Sequence, residues 1–139
     1  MQVVLDTGIL IAALITADTP PDQVYQAWRE QRFRLITSEW QLGEFRRASR
    51  YAKVKRFLSP AEAGSLVNGL KRHALVLEEL PDVDLSPDPQ DNPVLAMALV
   101  GKAHYLVTGD QRGLLSLRRI GGTRIVTAVE FLRILKKRR

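Results

Sequence analysis

Val3-Val4-Leu5-Asp6-Thr7-Gly8-Ile9-Leu10-Ile11-Ala12-Ala13-Leu14-Ile15 carries the first decision about the fold. Val3-Val4-Leu5 is a short apolar strand that stops at Asp6. The run from Ile9 to Ala17 reads as a helix that is apolar on most of its sides. A strand followed at once by such a helix implies a buried parallel sheet with a covering helix. The apolar run Ile9 to Ile15 is far short of the ~20 residues a membrane-spanning helix needs. Asp6 and the lack of a preceding basic segment argue against a signal peptide.

Working outward, the same alternation recurs. Pro20-Pro21 breaks the chain, and a helix over 22–31 follows, with Pro21 suited to its first turn. Phe33 to Thr37 is a second strand. Ser38 then caps a helix that runs to about Arg50, with Glu39 in its first turn. Lys53 to Leu58 continues it or forms a short separate piece. Ser59-Pro60-Ala61-Glu62 combines a cap, a proline at the first position and a glutamate three residues after the cap, and opens a helix to about Arg72. Ala74 to Leu80 is a third strand. Leu80 to Pro93 holds four prolines and four aspartates and is a loop. Asn92 caps a helix from Pro93 to Val100, ending at Gly101. Tyr105 to Thr108 is a strand, Leu114 to Arg118 a short helix, and Arg124 to Val126 the last strand. Thr127 caps a final helix with Glu130 three residues on. The order β-α-α-β-α-α-β-α-β-α-β-α predicts an α/β domain with helices on both sides of a mostly parallel sheet.

The chain has 139 residues, which predicts a single domain over 1–139 with a short basic tail at 136–139. Hydrophobic residues make up 45% and charged residues 26%, ordinary values for a globular protein. The absence of cysteine excludes disulfide scaffolds, thiolate zinc sites, iron–sulfur clusters and cysteine nucleophiles. The composition suits the cytoplasm.

Net charge is +6, and 15 of the 21 basic residues are arginine, whose fork suits phosphate better than the lysine ammonium does. The charge falls in blocks: −3 over 1–28, +6 over 29–56, −5 over 57–111 and +8 over 112–139. In a compact fold this pattern can place an acidic cleft between basic walls, able to hold a metal and attract a polyanion. Two solvated basic helix faces are the plainer explanation.

Three aspartates occupy suggestive positions. Asp6 ends the first strand, Asp91 precedes a helix and Asp110 follows a strand. Ligands of open parallel sheets bind outside the carboxyl ends of the strands. Each aspartate alone reads as a cap or turn residue; together they point to a site. Glu44, between Leu42 and Phe45, borders a buried face, and on these residues alone a surface ion pair with Arg46 or Arg47 is the favoured role. Clustered carboxylates repel unless protonated or neutralised by a cation. An oxygen-only set selects Mg²⁺ or Mn²⁺, and two histidines without cysteine argue against zinc. His73, His104 and Met97 read as packing or surface residues. Trp40 and Tyr51 read as core or interface residues, with base stacking as the alternative.

Five segments in order resemble the PIN-domain family. They are Val3-Val4-Leu5-Asp6-Thr7, Ser38-Glu39-Trp40-Gln41-Leu42-Gly43-Glu44-Phe45, Asp88-Pro89-Gln90-Asp91-Asn92-Pro93-Val94-Leu95-Ala96-Met97-Ala98, Tyr105-Leu106-Val107-Thr108-Gly109-Asp110, and Ile125-Val126-Thr127 with Glu130-Phe131-Leu132. The resemblance spans essentially the whole chain. It is nearest the toxin components of prokaryotic toxin–antitoxin systems, the VapC-like ribonuclease toxins. It implies a three-layer α/β/α sandwich on a mainly parallel sheet. It also implies a metal-dependent endoribonuclease whose catalytic and metal-binding set is Asp6, Glu44, Asp91 and Asp110, with Mg²⁺ or Mn²⁺. Glu44 enters that set through the resemblance. The products would carry a 3′-hydroxyl and a 5′-phosphate. An RNA substrate, a cognate antitoxin and a homodimer are implied partners, with no membrane. Thr7, Thr108, Arg46, Arg47, Arg50, Lys53 and Arg112 are candidates for substrate contact. Three positions depart from the family pattern: Gly8 replaces an asparagine, Pro87 an arginine and Arg112 an acid.

Asp6-Thr7-Gly8 spells the aspartic-protease tripeptide, but those enzymes are all-β. Haloacid-dehalogenase-like phosphatases need a second aspartate where Gly8 stands, and no glycine-rich nucleotide loop is present. A non-catalytic RNA- or protein-binding PIN-like domain, and an RNA-processing nuclease without an antitoxin, are the alternatives to a toxin.

Overall fold

The structure is a computed structural model, describing residues 1–110 and 112–138. Six strands form one sheet: β1 (Gln2–Leu5), β2 (Arg34–Ser38), β3 (Leu75–Leu77), β4 (Tyr105–Val107), β5 (Arg119–Ile120) and β6 (Thr123–Val126). Their order across the sheet is β3-β2-β1-β4-β6-β5, parallel except for the antiparallel β5–β6 pair. Between them lie α1 (Thr7–Ile15), α2 (Pro20–Arg29), α3 (Glu39–Ser49), α4 (Ala52–Lys55), α5 (Pro60–His73), α6 (Asn92–Val100), α7 (Leu114–Leu117) and α8 (Ala128–Lys137).

The two-residue period of the strands divides their side chains between two cores. Val3, Leu5, Leu35, Val107 and Val126 pack with α1, α2, α3, α5 and α8. Val4, Ile36, Leu106 and Ile125 pack with α6 and α7. Both faces of the sheet are therefore covered, and the expected α/β/α layering is observed. Burial on both faces explains why β1 reads as a continuous apolar run rather than an alternating one.

Local signals set most helix starts. Ser59 and Thr127 each complete a capping box, with Glu62 and Glu130 respectively. The Ser38 hydroxyl accepts from the Gln41 N–H at 3.0 Å. α2 starts at Pro20, two residues before the expected 22, because both prolines fit its first turn while Thr19 accepts from the Asp22 N–H. Asn92 is not a cap: its side chain accepts from the Leu85 and Ser86 N–H groups and ties down the proline-rich loop, while Asp91 takes the N-cap position. α6 ends at Gly101, where a Cβ would stand 2.7 Å from Ile36 Cδ1 and 3.0 Å from the Met97 carbonyl oxygen. The backbone of α6 thus packs close to β2.

Two sequence expectations are corrected. A sixth strand, β5, folds back on β6 through Gly121-Gly122, with Gly121 at φ +54°. Of the core or interface role expected of Tyr51, the core half is overturned; it is 62% exposed. Trp40 is half-buried against the core on the α6 side, and Met97 is fully buried there. No helix among the described residues is long and apolar enough to cross a membrane.

Candidate active site

The strand order reverses its direction of growth at β1, since β2 lies on one side and β4 on the other. Such a switch point opens a crevice at the carboxyl ends of the strands. Asp6 stands directly after β1 and Asp110 three residues after β4. The Asp6 N–H donates to the Val107 carbonyl at 2.9 Å, so the β1–β4 ladder runs up to the aspartate itself.

Thr108, fully buried, joins the two acids. Its hydroxyl donates to Asp6 Oδ2 at 2.9 Å and accepts from the Asp110 N–H at 3.1 Å. A second buried link holds the other side of the crevice. Gln41 on α3 donates through Nε2 to the Leu5 carbonyl and accepts from the Thr37 hydroxyl, both at 2.6 Å. The residue preceding Asp6 is thereby fastened to the helix that carries Glu44.

Asp6 and Asp91 precede α1 and α6, yet neither side chain makes the N-cap bond to its helix; the Thr7 N–H lies against the Asp6 carboxylate, and Asp91 has helical backbone at the end of a 3-10 turn that Asp88 caps at the Gln90 N–H. An aspartate at this position ordinarily caps, worth ~0.5–2 kcal/mol. The plain reading of these two as caps is therefore excluded. Asp110 does fill a turn role: its carboxylate accepts from the Gly113 N–H at 3.1 Å and the Leu114 N–H at 3.4 Å. A side chain at Gly113 would run into that carboxylate and put its Cβ 3.0 Å from Asp91 Oδ2. Only glycine lets the turn close here, and the turn brings Asp110 toward Asp91.

The electrostatics bind the four acids into one group. Burial pushes the Asp91 carboxyl up to about 6, and the charges of Asp110, Asp88, Asp6 and Glu44 add to it. Burial also raises Asp6, which the Thr108 hydroxyl and the Thr7 N–H oppose and the charges of Glu44 and Asp110 reinforce. Asp91 Oδ2 and the Thr7 hydroxyl are buried without a hydrogen-bond partner. Asp88, at the start of the 3-10 turn Pro89–Asp91, is the acid that sequence reasoning missed as a neighbour.

Among the described residues, however, no three acidic or histidine groups converge closely enough to hold a metal ion as they stand. The physical reason is visible in two of the acids: like charges repel, and Asp6 has turned to Thr108 and Asp110 to backbone N–H groups. The chemistry of the donors still fits a hard divalent cation. All are oxygens, one buried carboxylate oxygen lacks any donor, and the protonation of Asp91 is held up partly by neighbouring negative charge that a cation would offset.

The basic candidates separate. Arg46 and Arg50 line a recess of about 460 Å³ between α3 and α5, joined there by Lys55, which the sequence had not singled out. Arg47 is exposed, with its guanidinium lying over Gly43. Lys53 and Arg112 are exposed, on α4 and in the turn before α7.

The profile of the PIN domain family matches residues 2–112, a span that holds Asp6, Glu44, Asp91 and Asp110. The chain therefore belongs to the PIN domain family. No curated protein matches it significantly.

Proposed function

We propose that the protein is a metal-dependent endoribonuclease and the toxin of a type II toxin–antitoxin pair. The observation that carries the nuclease reading is the pair of aspartates at the starts of α1 and α6, Asp6 and Asp91, whose side chains make no cap bond and whose carboxylates feel the charges of Asp110 and Glu44. The toxin reading is supported by the order of the sequence motifs alone.

In this reading Asp6, Asp91 and Asp110 hold Mg²⁺ or Mn²⁺, with Glu44 completing the group. A bound divalent ion would polarise the scissile phosphate and lower the pKa of water. Thr108 aims Asp6 and opposes the upward push of burial on its carboxyl, because its hydroxyl bonds the carboxylate. Arg46 and Arg50 bind backbone phosphates, which gives affinity without sequence choice. Thr7 and Arg112 are assigned to substrate contact in this reading, on the sequence motifs alone.

A second reading, a non-catalytic RNA-binding PIN domain, is favoured by the lack of a converged metal-ligand group among the described residues. Cleavage decides between them. Labelled structured and unstructured RNAs are incubated with the protein in EDTA, Mg²⁺ or Mn²⁺, beside Asp6→Asn purified identically. The nuclease reading expects cleavage only with metal, reduced at least ~100-fold in the variant, and products with 5′-phosphate ends. Cleavage in EDTA, or a 2′,3′-cyclic phosphate product, contradicts it.

A further inference from the structure

The amino-terminal ends of the strands form a second charged surface, at the far end of the sheet from the carboxylates. β2 alone separates the two ends by roughly 13 Å. Here Met1 and Arg34, which lead into β1 and β2, share a recess of about 610 Å³ with the end of α2. A neighbouring recess of about 540 Å³ lies between the ends of α2 and α5. Trp28, Arg29 and His73 line both, so the two form one continuous groove. Its walls carry Arg29, Arg32, Arg34, Lys71, Arg72 and His73, all exposed, and among the described residues no carboxylate lines either recess.

Helix dipoles account for part of this. Arg29 ends α2, and Lys71, Arg72 and His73 end α5, where cations are favoured. Arg32 donates to the Leu135 carbonyl in α8 at 3.0 Å. The dipoles do not account for Arg34, which opens a strand, nor for the convergence of six basic side chains on one groove without an acid. Such a group repels itself and gains from a bound polyanion. The hydrophobic floor, Trp28 and Phe33, is buried to 6% and 5% exposure. A protein partner or a membrane would want exposed apolar anchors, and the groove offers few. Four of the six groups are arginines, whose forks match phosphate oxygens.

We propose that this groove is an exosite for the phosphodiester backbone of single-stranded RNA, separate from the carboxylate crevice. It stands apart from the cleavage reading, because binding can be measured in EDTA whether or not the carboxylates cut.

The test is fluorescence anisotropy of a labelled unstructured RNA of about 20 nucleotides, long enough for an ordinary single-strand site, titrated in EDTA across a salt series. The triple variant Arg29→Gln, Arg34→Gln, Arg72→Gln leaves Arg32 and its α8 bond in place. A control variant, Arg118→Gln, Arg119→Gln, Arg133→Gln, removes equal charge elsewhere. With about 0.7 counterions per phosphate contact, the exosite variant should flatten the slope of log K against log salt by about 2. It should weaken binding at least tenfold at about 0.1 M salt, with an unchanged melting temperature, while the control changes both far less. Equal losses in the two variants would reduce the effect to net charge and overturn the proposal. So would unchanged RNA binding by the exosite variant, including the case where it loses only polyglutamate or anionic phosphatidylserine vesicles, run as parallel arms.

Discussion

At the scale of single residues, the unusual feature is what Asp6 and Asp91 do not do. Each precedes a helix without making its cap bond: Asp6 is held by the Thr108 hydroxyl and the Thr7 N–H, and Asp91 Oδ2 is buried without a partner. The cost appears in their protonation. The Asp91 carboxyl is pushed from an ordinary 3.8 up to about 6, first by burial and then by its acidic neighbours. A raised folded pKa means that the folded state holds the proton more tightly than the unfolded chain does. The stability this gives is fully present below about 3.8 and is lost as pH rises through about 6. Asp6 shifts in the same direction. In EDTA, Asp91→Asn should therefore melt like the wild type near pH 4 and roughly 1–4 °C higher at pH 7. Calorimetric melts across that range check this; a variant that melts no higher at pH 7 would show that the repulsion is not felt. Asp6 and Asp110 stood out in the sequence because strand ends are where a parallel sheet puts ligands, and Asp91 because it opens a helix after a proline-rich loop. Glu44 did not, because a glutamate in the second turn of an arginine-rich helix looks like any surface ion pair; the family pattern alone singled it out. Asp88 was hidden in a loop whose course depends on Asn92 holding the Leu85 and Ser86 N–H groups.

At the scale of elements, α3 must be fixed against β1 for Glu44 and Asp6 to share a crevice. Gln41 does this through two buried bonds of 2.6 Å. Replacing it with leucine leaves the Leu5 carbonyl and the Thr37 hydroxyl unpaired in the core. Gln41→Leu should cost about 1–3 kcal/mol of stability, measured by urea unfolding. Under conditions where it stays folded, its metal-dependent cleavage should fall while RNA binding in EDTA is kept. A variant as stable as the wild type would show that these bonds contribute nothing. No local pattern announces this contact, since it joins residues 36 positions apart. Local signals did announce the capping boxes at Ser59 and Thr127 and the breaks at Pro20 and Gly101. β5 was missed because two residues have no period to read, although Gly121-Gly122 is the dipeptide of a tight hairpin.

At the scale of the whole molecule, the parallel sheet gives the protein two unlike ends. The carboxyl ends of β1 and β4 present the acids, and the amino ends, with the last turns of α2 and α5, present the arginines. The charge blocks along the chain do not map singly onto these ends: Lys71 and Arg72 fall in the acidic block 57–111, and Arg46 and Arg50 in the basic block 29–56. The expected acidic cleft with basic walls is thus only part of the pattern. Arg46 and Arg50 lie on the helix that bears Glu44, while Arg29, Arg34 and Arg72 lie at the opposite end of the sheet. The central claim is that Asp6 and Asp91, whose side chains make no cap bond, bind a divalent cation. Titration calorimetry with Mn²⁺ at pH 7.5, on the wild type, Asp6→Asn and Asp91→Asn, tests it most directly. The account predicts one saturable binding event in the wild type, weakened at least tenfold, about 1.4 kcal/mol, in each variant. Wild-type protein that binds no Mn²⁺, or both variants binding it as tightly as the wild type, would contradict the account.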